Sequence, residues 1–377
     1  MMSIGITDKV GVGHVMFFDD TRRRFRRATG ALVALTVLAA AAACGGDGGG
    51  SGGDVAGTAS TLRLGYFPNV THATAVVGVA NDFFGKRLGS TKLETQTFNA
   101  GPAEIEALLG GDLDAGFIGP NPAINAFAKT RGEGIRIISG ATSGGASLVV
   151  QPGIDSAADL KGKRVSSPQL GNTQDVALRA WLKENGLTPS SQGEQGDVQV
   201  EPSENATTLQ LFQDKKIDGA WVPEPWASRL VLDGGGKVLV DEKTLWPGGK
   251  FVTTHLIVRT EFLEKNPATV KALLEGVLDT DEWIAKNSDE AKTTVNAEIK
   301  RITTKALATE VLDRAWKNIE ITTDPVAASL KKSADDAVAA GLLKEVDLKG
   351  IYDLTLLREV LSSRGGATVD DAGLAKG

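Results

Sequence analysis

One order of elements is written twice along this chain, and that repeat limits its folds more than any other feature. Leu62-Arg63-Leu64-Gly65-Tyr66 reads as a short strand that breaks at Phe67-Pro68-Asn69-Val70-Thr71-His72 and enters a helix through Ala75, Val76, Val79 and Ala80. Lys163-Arg164-Val165-Ser166 is likewise a strand, breaking from Ser167 through Asp175 into a helix that carries Val176, Leu178 and Leu182. A second unit repeats as well. Pro102 opens a helix, where a fixed φ and a missing N–H do no harm, and Ile105, Leu108 and Leu109 form its apolar stripe. After Gly110-Gly111, a strand from Leu113 to Ile118 ends in Gly119-Pro120-Asn121-Pro122. Its counterpart has Leu209 and Phe212 on a helix, a strand from Ile217 to Val222, and the ending Pro223-Glu224-Pro225-Trp226. Aligned without gaps, Asp114 pairs with Asp218, Phe117 with Trp221 and Ile118 with Val222.

Alternation of this kind specifies an α/β protein, and two such halves in tandem specify two lobes with a crevice between them. Small molecules bind in such crevices, beyond the carboxyl ends of the strands. Each half adds one more strand (Ile135 to Ile138, Lys237 to Val240) and then a final β run (Ser147 to Val150, His255 to Val258). The final runs fall where the chain is expected to change lobes, so 147–150 and 255–258 are the expected hinge crossings. The expected borders are 61–149 with 256–365 for the first lobe, 150–255 for the second, and a disordered tail at 366–377. Amphipathic helices after Thr260, including Pro267 to Lys286 and Asp324 to Ala340, are expected on the first lobe, in a position that can also strap both.

The N-terminus carries a different signal. Arg22-Arg23-Arg24-Phe25-Arg26-Arg27 leads into Ala28 to Ala43, an uncharged apolar run of 16 residues that ends at Cys44. A basic cluster, a short apolar run and small residues before a cut site make a secretory leader, whereas a bilayer span needs about 20 residues. Residues 1–43 are therefore expected to be removed, with Met16 an alternative start. Cys44, the chain's one cysteine, resembles the lipobox cysteine of bacterial lipoproteins, although Ala41 stands where that pattern usually has Leu. The plainer alternative is a secreted protein with an incidental cysteine. The Gly-rich stretch that follows reads as a flexible tether across 44–60. Removing residues 1–43 takes away six basic and three acidic side chains from a chain of net charge −6, leaving about −9. That balance argues against a nucleic-acid partner or an anionic membrane surface, and leaves the lipid as the only membrane attachment expected.

Several motifs together resemble the sulfonate/nitrate/taurine family of ABC-transporter solute-binding proteins. They are Gly65-Tyr66-Phe67-Pro68-Asn69 with Thr71-His72-Ala73, Asn99 through Glu104, Gly119-Pro120-Asn121-Pro122-Ala123, Gly171 through Asp175, and Trp221 through Trp226. The resemblance spans roughly Leu62 to Leu357. It implies a type II periplasmic-binding-protein fold and a monomer that captures a small solute between its lobes and delivers it to a permease with a cytoplasmic ATPase. An aliphatic sulfonate is the first ligand it implies, with taurine or nitrate next. Pyrimidine or flavin precursors are the alternative.

A sulfonate needs convergent donors, and helix N-termini supply unpaired N–H groups together with the positive end of the dipole. The break at Gly171, Asn172, Thr173 and Gln174 is therefore the expected seat of the anion, and Asn69, Thr71 and His72 form the expected opposing wall. Asn121, held between two prolines, and Ser143-Gly144 before the first crossing are expected to add polar groups. Glu224 and Trp226 are expected at the rim, with Glu224 turned away from an anion or facing the cationic part of a zwitterion. No cofactor, metal or catalytic residue is expected. Cys44, His72 and His255 make no conventional metal set, and neither a nucleophile elbow nor a phosphate-binding loop occurs. A pyrimidine-precursor synthase of the same fold, the enzymatic alternative, depends on a Cys-rich metal segment that this chain lacks.

Overall fold

Both lobes are built around sheets covered on two faces, and strand alternation shows it directly. A computed structural model describes residues 57–191 and 193–376. The expected leader, Cys44 and the tether through residue 56 lie outside these residues. The first half contributes β1 (Thr61–Tyr66), β2 (Lys92–Thr97), β3 (Ala115–Ile118) and β4 (Ile135–Gly144), with α1 (Ala73–Ala80), α2 (Phe83–Leu88), α3 (Gly101–Gly110) and α4 (Pro120–Lys129) between them. The second half contributes β5 (Ala146–Val150), β6 (Arg164–Ser167), β7 (Pro189–Ser190), β8 (Val198–Pro202), β9 (Gly219–Pro223) and β10 (Lys237–Asp241). Its helices are α5 (Thr173–Glu184), α6 (Asn205–Gln213) and α7 (Trp226–Leu232). β11 (Val252–Arg259) and β12 (Ile319–Ile321) come later, among α8 (Thr260–Lys265), α9 (Pro267–Lys286), α10 (Ser288–Thr303), α11 (Thr309–Lys317), α12 (Ala327–Ala340) and α13 (Thr355–Ser363).

The described strands form two six-stranded sheets, ordered β12-β4-β11-β3-β1-β2 and β10-β5-β9-β6-β8-β7. On β5, Leu148 and Val150 point into one core with Val165, Leu178 and Trp181, while Val149 points into the other with Leu209 and Phe212. Period-two alternation between two apolar cores marks a strand buried on both faces. The repeat is physical as well as textual. The N–H of Asp114 donates to the Arg63 carbonyl at 2.8 Å, and that of Asp218 donates to the Arg164 carbonyl at 2.7 Å. Each aspartate carboxylate in turn accepts the arginine's backbone N–H, at 3.0 Å in the first lobe and 2.9 Å in the second.

The lobe borders differ from those expected. β5 pairs antiparallel with β9 and β10, and β11 pairs antiparallel with β3 and β4. Each final run is therefore exchanged into the opposite half's sheet, where hydrogen bonds along both edges make it an interior strand and not a hinge. The chain changes lobes at Gly144-Gly145 and again through residues 242–251. Both glycines have φ +77°, and a Cβ on Gly144 would lie 2.8 Å from the Asn318 carbonyl oxygen, so this crossing admits no larger residue without strain.

Two further expectations are corrected. Residues 57–60 belong to the first lobe, since the Gly57 carbonyl accepts the Ala268 N–H at 3.0 Å and the Ala59 N–H donates to Thr269 Oγ1 at 2.8 Å. The expected disordered tail is packed: Val369 is buried, and Arg358 donates to its carbonyl and pairs with Asp371 at 2.8 Å. The C-terminal helices cover the first lobe and, in the expected position, also strap both. α9 covers α1 and α2, but α11 packs on α7 and α12 packs on both α4 and α5. A strap of this kind lets the two lobes share one outer layer.

Candidate functional site

The strand-to-helix breaks of both lobes meet at the crevice, because parallel strands of one sheet all end on the same side. Between them lies a small cavity whose wall both lobes share. The first lobe supplies Phe67, Asn69, Thr71, His72, Asn99, Gly101, Gly119, Pro122, Thr253 and Thr254 to its wall. Pro168, Asn172, Thr173, Gln174, Asn205 and Pro223 come from the second. None of these side chains is Asp, Glu, Lys or Arg, so the wall works through neutral dipoles.

The polar groups on this wall are held in place. Asn172 caps α5, its Oδ1 accepting the Gln174 N–H at 3.3 Å. Asp175, one turn in, takes Ser167 Oγ at 2.7 Å and the Gly171 N–H at 3.0 Å, and so fixes the loop that leads into the helix. Opposite, the Thr71 carbonyl accepts the hydroxyls of Thr142 at 2.7 Å and Thr254 at 3.0 Å. His72 stacks on Phe67 at 4.4 Å, and its Nδ1 accepts the Phe67 N–H at 3.3 Å, which leaves Nε2–H as the ring's donor. Burial pushes the His72 imidazole down to about 3, so it stays neutral at physiological pH. Two polar atoms on the wall are buried without a partner, Thr173 Oγ1 and Asn205 Oδ1. Orphaned polar atoms cost free energy in a folded protein, and a bound solute that accepts from one and donates to the other removes that cost.

The lobes touch across the crevice. Trp226 Nε1 donates to Asn69 Oδ1 at 3.1 Å, and Asn99 Nδ2 donates to Glu204 Oε1 at 3.4 Å. Gly119 of the first lobe faces Thr173 of the second, and a Cβ placed on that glycine would lie 3.5 Å from Thr173 Cβ with the hydroxyl nearer still. The structure is thus a closed form.

Six of the expected residues line the cavity: Asn69, Thr71, His72, Asn172, Thr173 and Gln174. The others lie elsewhere. Asn121 is turned to α12, where its Nδ2 donates to the Ser333 carbonyl at 2.9 Å. Ser143 is a strand residue paired with Glu320, and Gly144 is the crossing itself. Gly171 sets the loop before α5 through its left-handed φ of +75°. Glu224 is buried and satisfied inside the second lobe's contact with α11. Its carboxylate accepts the Ser228 N–H and hydroxyl at 3.0 Å each and Asn318 Nδ2 at 2.6 Å, while burial raises its pKa. Trp226 acts at the mouth, as the partner of Asn69. Asn205, Thr253 and Thr254 escaped the sequence reading. Asn205 had a signal, since Glu204-Asn205 follows β8 as another strand-to-helix break of the repeat. The two threonines had none, because their position depends on the strand exchange.

Residues 56–299 match the NMT1-like family. The chain belongs to that family. It is 29% identical over 215 residues to the taurine-binding periplasmic protein of Escherichia coli, covering 57% of this chain and 64% of that protein, so it spans a little under two thirds of that relative. Among solved structures, it superimposes on the alkanesulfonate-binding protein SsuA from Xanthomonas axonopodis with a TM-score of 0.64 at 22% identity, over 76% of this chain and 96% of that one. The periplasmic nitrate-binding protein NrtA from Synechocystis gives a TM-score of 0.68 at 18% identity, over 81% of this chain and 89% of that one. The shared fold is that of periplasmic binding proteins. The named relative and both structural neighbours are solute-binding proteins. Among the described residues no helix is long and apolar enough to cross a membrane, and no group of three or more His, Cys, Asp or Glu is placed to hold a metal.

Proposed function

We propose that this protein is the extracytoplasmic solute-binding subunit of an ABC importer. It captures a small organic anion between its lobes and hands it to a permease driven by a cytoplasmic ATPase. An aliphatic sulfonate is the best-supported ligand, with taurine or nitrate next. The observation that carries this reading is Thr173, whose hydroxyl is buried without a partner on the first turn of α5, in a cavity walled by both lobes. The dipole of a 12-residue helix there favours a sulfonate or nitrate oxygen, and the first-turn N–H groups other than that of Gln174, which Asn172 caps, can donate to it. Asn69, Gln174 and the Nε2–H of His72 add more. With no cation on the wall, the anion's charge is met by converging dipoles, so only a small, weakly hydrated monoanion gains enough to leave water. Closure follows from the ligand's preference for the form in which both walls reach it.

Calorimetric titration with alkanesulfonates, taurine, nitrate, bicarbonate, sulfate and a pyrimidine precursor tests the ligand class. Heat is expected with the sulfonates, and silence with every anion removes the assignment. The anchor rests on Cys44 and its flanking residues alone. Cys44→Ala should move the protein from the membrane fraction to the soluble one, and unchanged membrane association would sink the lipidation reading.

A further inference from the structure

A groove at the mouth of the cleft adjoins the cavity, and the two share Asn69, Asn99 and Asn205. Phe98, Trp226 and Ile302 give that groove an apolar wall, and Glu204 is the one charged residue among those lining either space. Glu204 stands at the N-cap of α6, yet its side chain makes no capping bond. Its carboxylate instead faces the opposite lobe, where Oε1 accepts the long 3.4 Å bond from Asn99 Nδ2. One cation approaches the aromatic wall: Arg229 lies 4.9 Å from the Trp226 ring centroid, and Asp233 holds its guanidinium at 3.1 Å. The cleft is therefore polarised, with neutral donors for an anion inside and, outside, a groove lined by one carboxylate and two aromatic rings. Carboxylate and aromatic faces together are the surroundings that favour an ammonium.

We infer that Glu204, with Phe98 and Trp226, forms a subsite for an ammonium on the solute's tail, and so decides how sulfonates that carry an ω-amino group are told apart from those that do not. This rests on the proposal that a sulfonate head sits at α5. The placement gives one zwitterion both of its partners in one closed cleft. It also assigns the role of meeting a cationic group to Glu204 and not to Glu224, whose carboxylate is fully engaged with Ser228 and Asn318.

Taurine and ethanesulfonate share a head and a chain length and differ by the ammonium, so the pair isolates the subsite. In calorimetric titrations the wild type should bind taurine about three- to fivefold more tightly than ethanesulfonate, the upper part of the range for one solvent-exposed charge pair. Glu204→Gln should remove most of that difference by weakening taurine, with ethanesulfonate unchanged within about twofold. Equal wild-type affinities overturn the subsite and leave the sulfonate head standing. A variant that weakens both ligands alike also overturns it, because Glu204 then acts only as a latch to Asn99. If the wild type binds neither sulfonate, the head assignment falls and the subsite falls with it.

Discussion

Gly119→Val is expected to abolish tight binding while leaving the fold intact. Gly119 has an ordinary φ of −71° as the N-cap of α4, so its backbone accepts any L side chain. What it cannot accept is volume. A Cβ there lies 3.5 Å from Thr173 Cβ, closer still to the Thr173 hydroxyl, and 3.6 Å from the Thr253 carbonyl oxygen. Thr173 belongs to the other lobe, so the clash exists only when the lobes are together. The cost of overpacking, roughly 1–3 kcal/mol, therefore falls on the closed state alone and appears as lost affinity, about five- to 150-fold. Titration against the best ligand measures it, and thermal melting should give a midpoint close to wild type. An affinity equal to wild type would mean that the ligand does not require this closure.

Glu104→Met should stabilise the protein, and more so at high pH. Glu104 lies on α3, fully buried, with both carboxyl oxygens unpartnered. It packs against Gly65 of β1 and Gly116 of β3, where a Cβ would collide with Oε1. Burial raises its pKa well above the usual carboxyl value. The folded protein therefore holds a proton that the unfolded chain releases above about 4.3. Stability contributed by that proton is fully present below the unfolded value and is lost as pH rises through the folded one. Burial of Glu242 and Asp281, each raised to about 7, acts in the same direction. His72 and His255, lowered to about 3 and about 4, act in the opposite direction, and only below about 6.5, where the unfolded imidazoles begin to charge. Wild-type melting temperature should accordingly rise as pH falls from 8 to about 6.5. Methionine fills a similar volume without polar atoms to satisfy, so about 1–3 kcal/mol is expected at pH 8. The gain should shrink toward pH 5, and differential scanning calorimetry across pH reads both effects. A gain that does not vary with pH would mean that Glu104 is not the titrating group.

The repeated grammar made most of the architecture legible. Asp114 and Asp218 occupy equivalent places and make equivalent hydrogen bonds, as their alignment in the chain implied. The strand exchange was not legible. Ser147 to Val150 and His255 to Val258 are β runs in either lobe, and their local residues do not say which sheet they enter. That one ambiguity displaced the hinges to positions within strands and hid Thr253 and Thr254. Residues read from local grammar, Asn69, Thr71, His72 and Asn172 to Gln174, share one cavity wall. Placement failed where it was inferred from a residue's chemistry without its packing. Asn121 serves the strap helix α12 and Glu224 serves Asn318, and both partners lie about a hundred residues or more away in the chain.

In the proposed function an anion sits at the first turn of α5, where the Thr173 hydroxyl has no partner within the protein. Titrating ethanesulfonate into wild-type protein and Thr173→Val tests it directly, because valine keeps the shape of threonine and removes only the hydroxyl. A loss of about tenfold in affinity is expected, the worth of one charge-assisted hydrogen bond, with no fall in melting temperature. Equal affinity for the two proteins would contradict it.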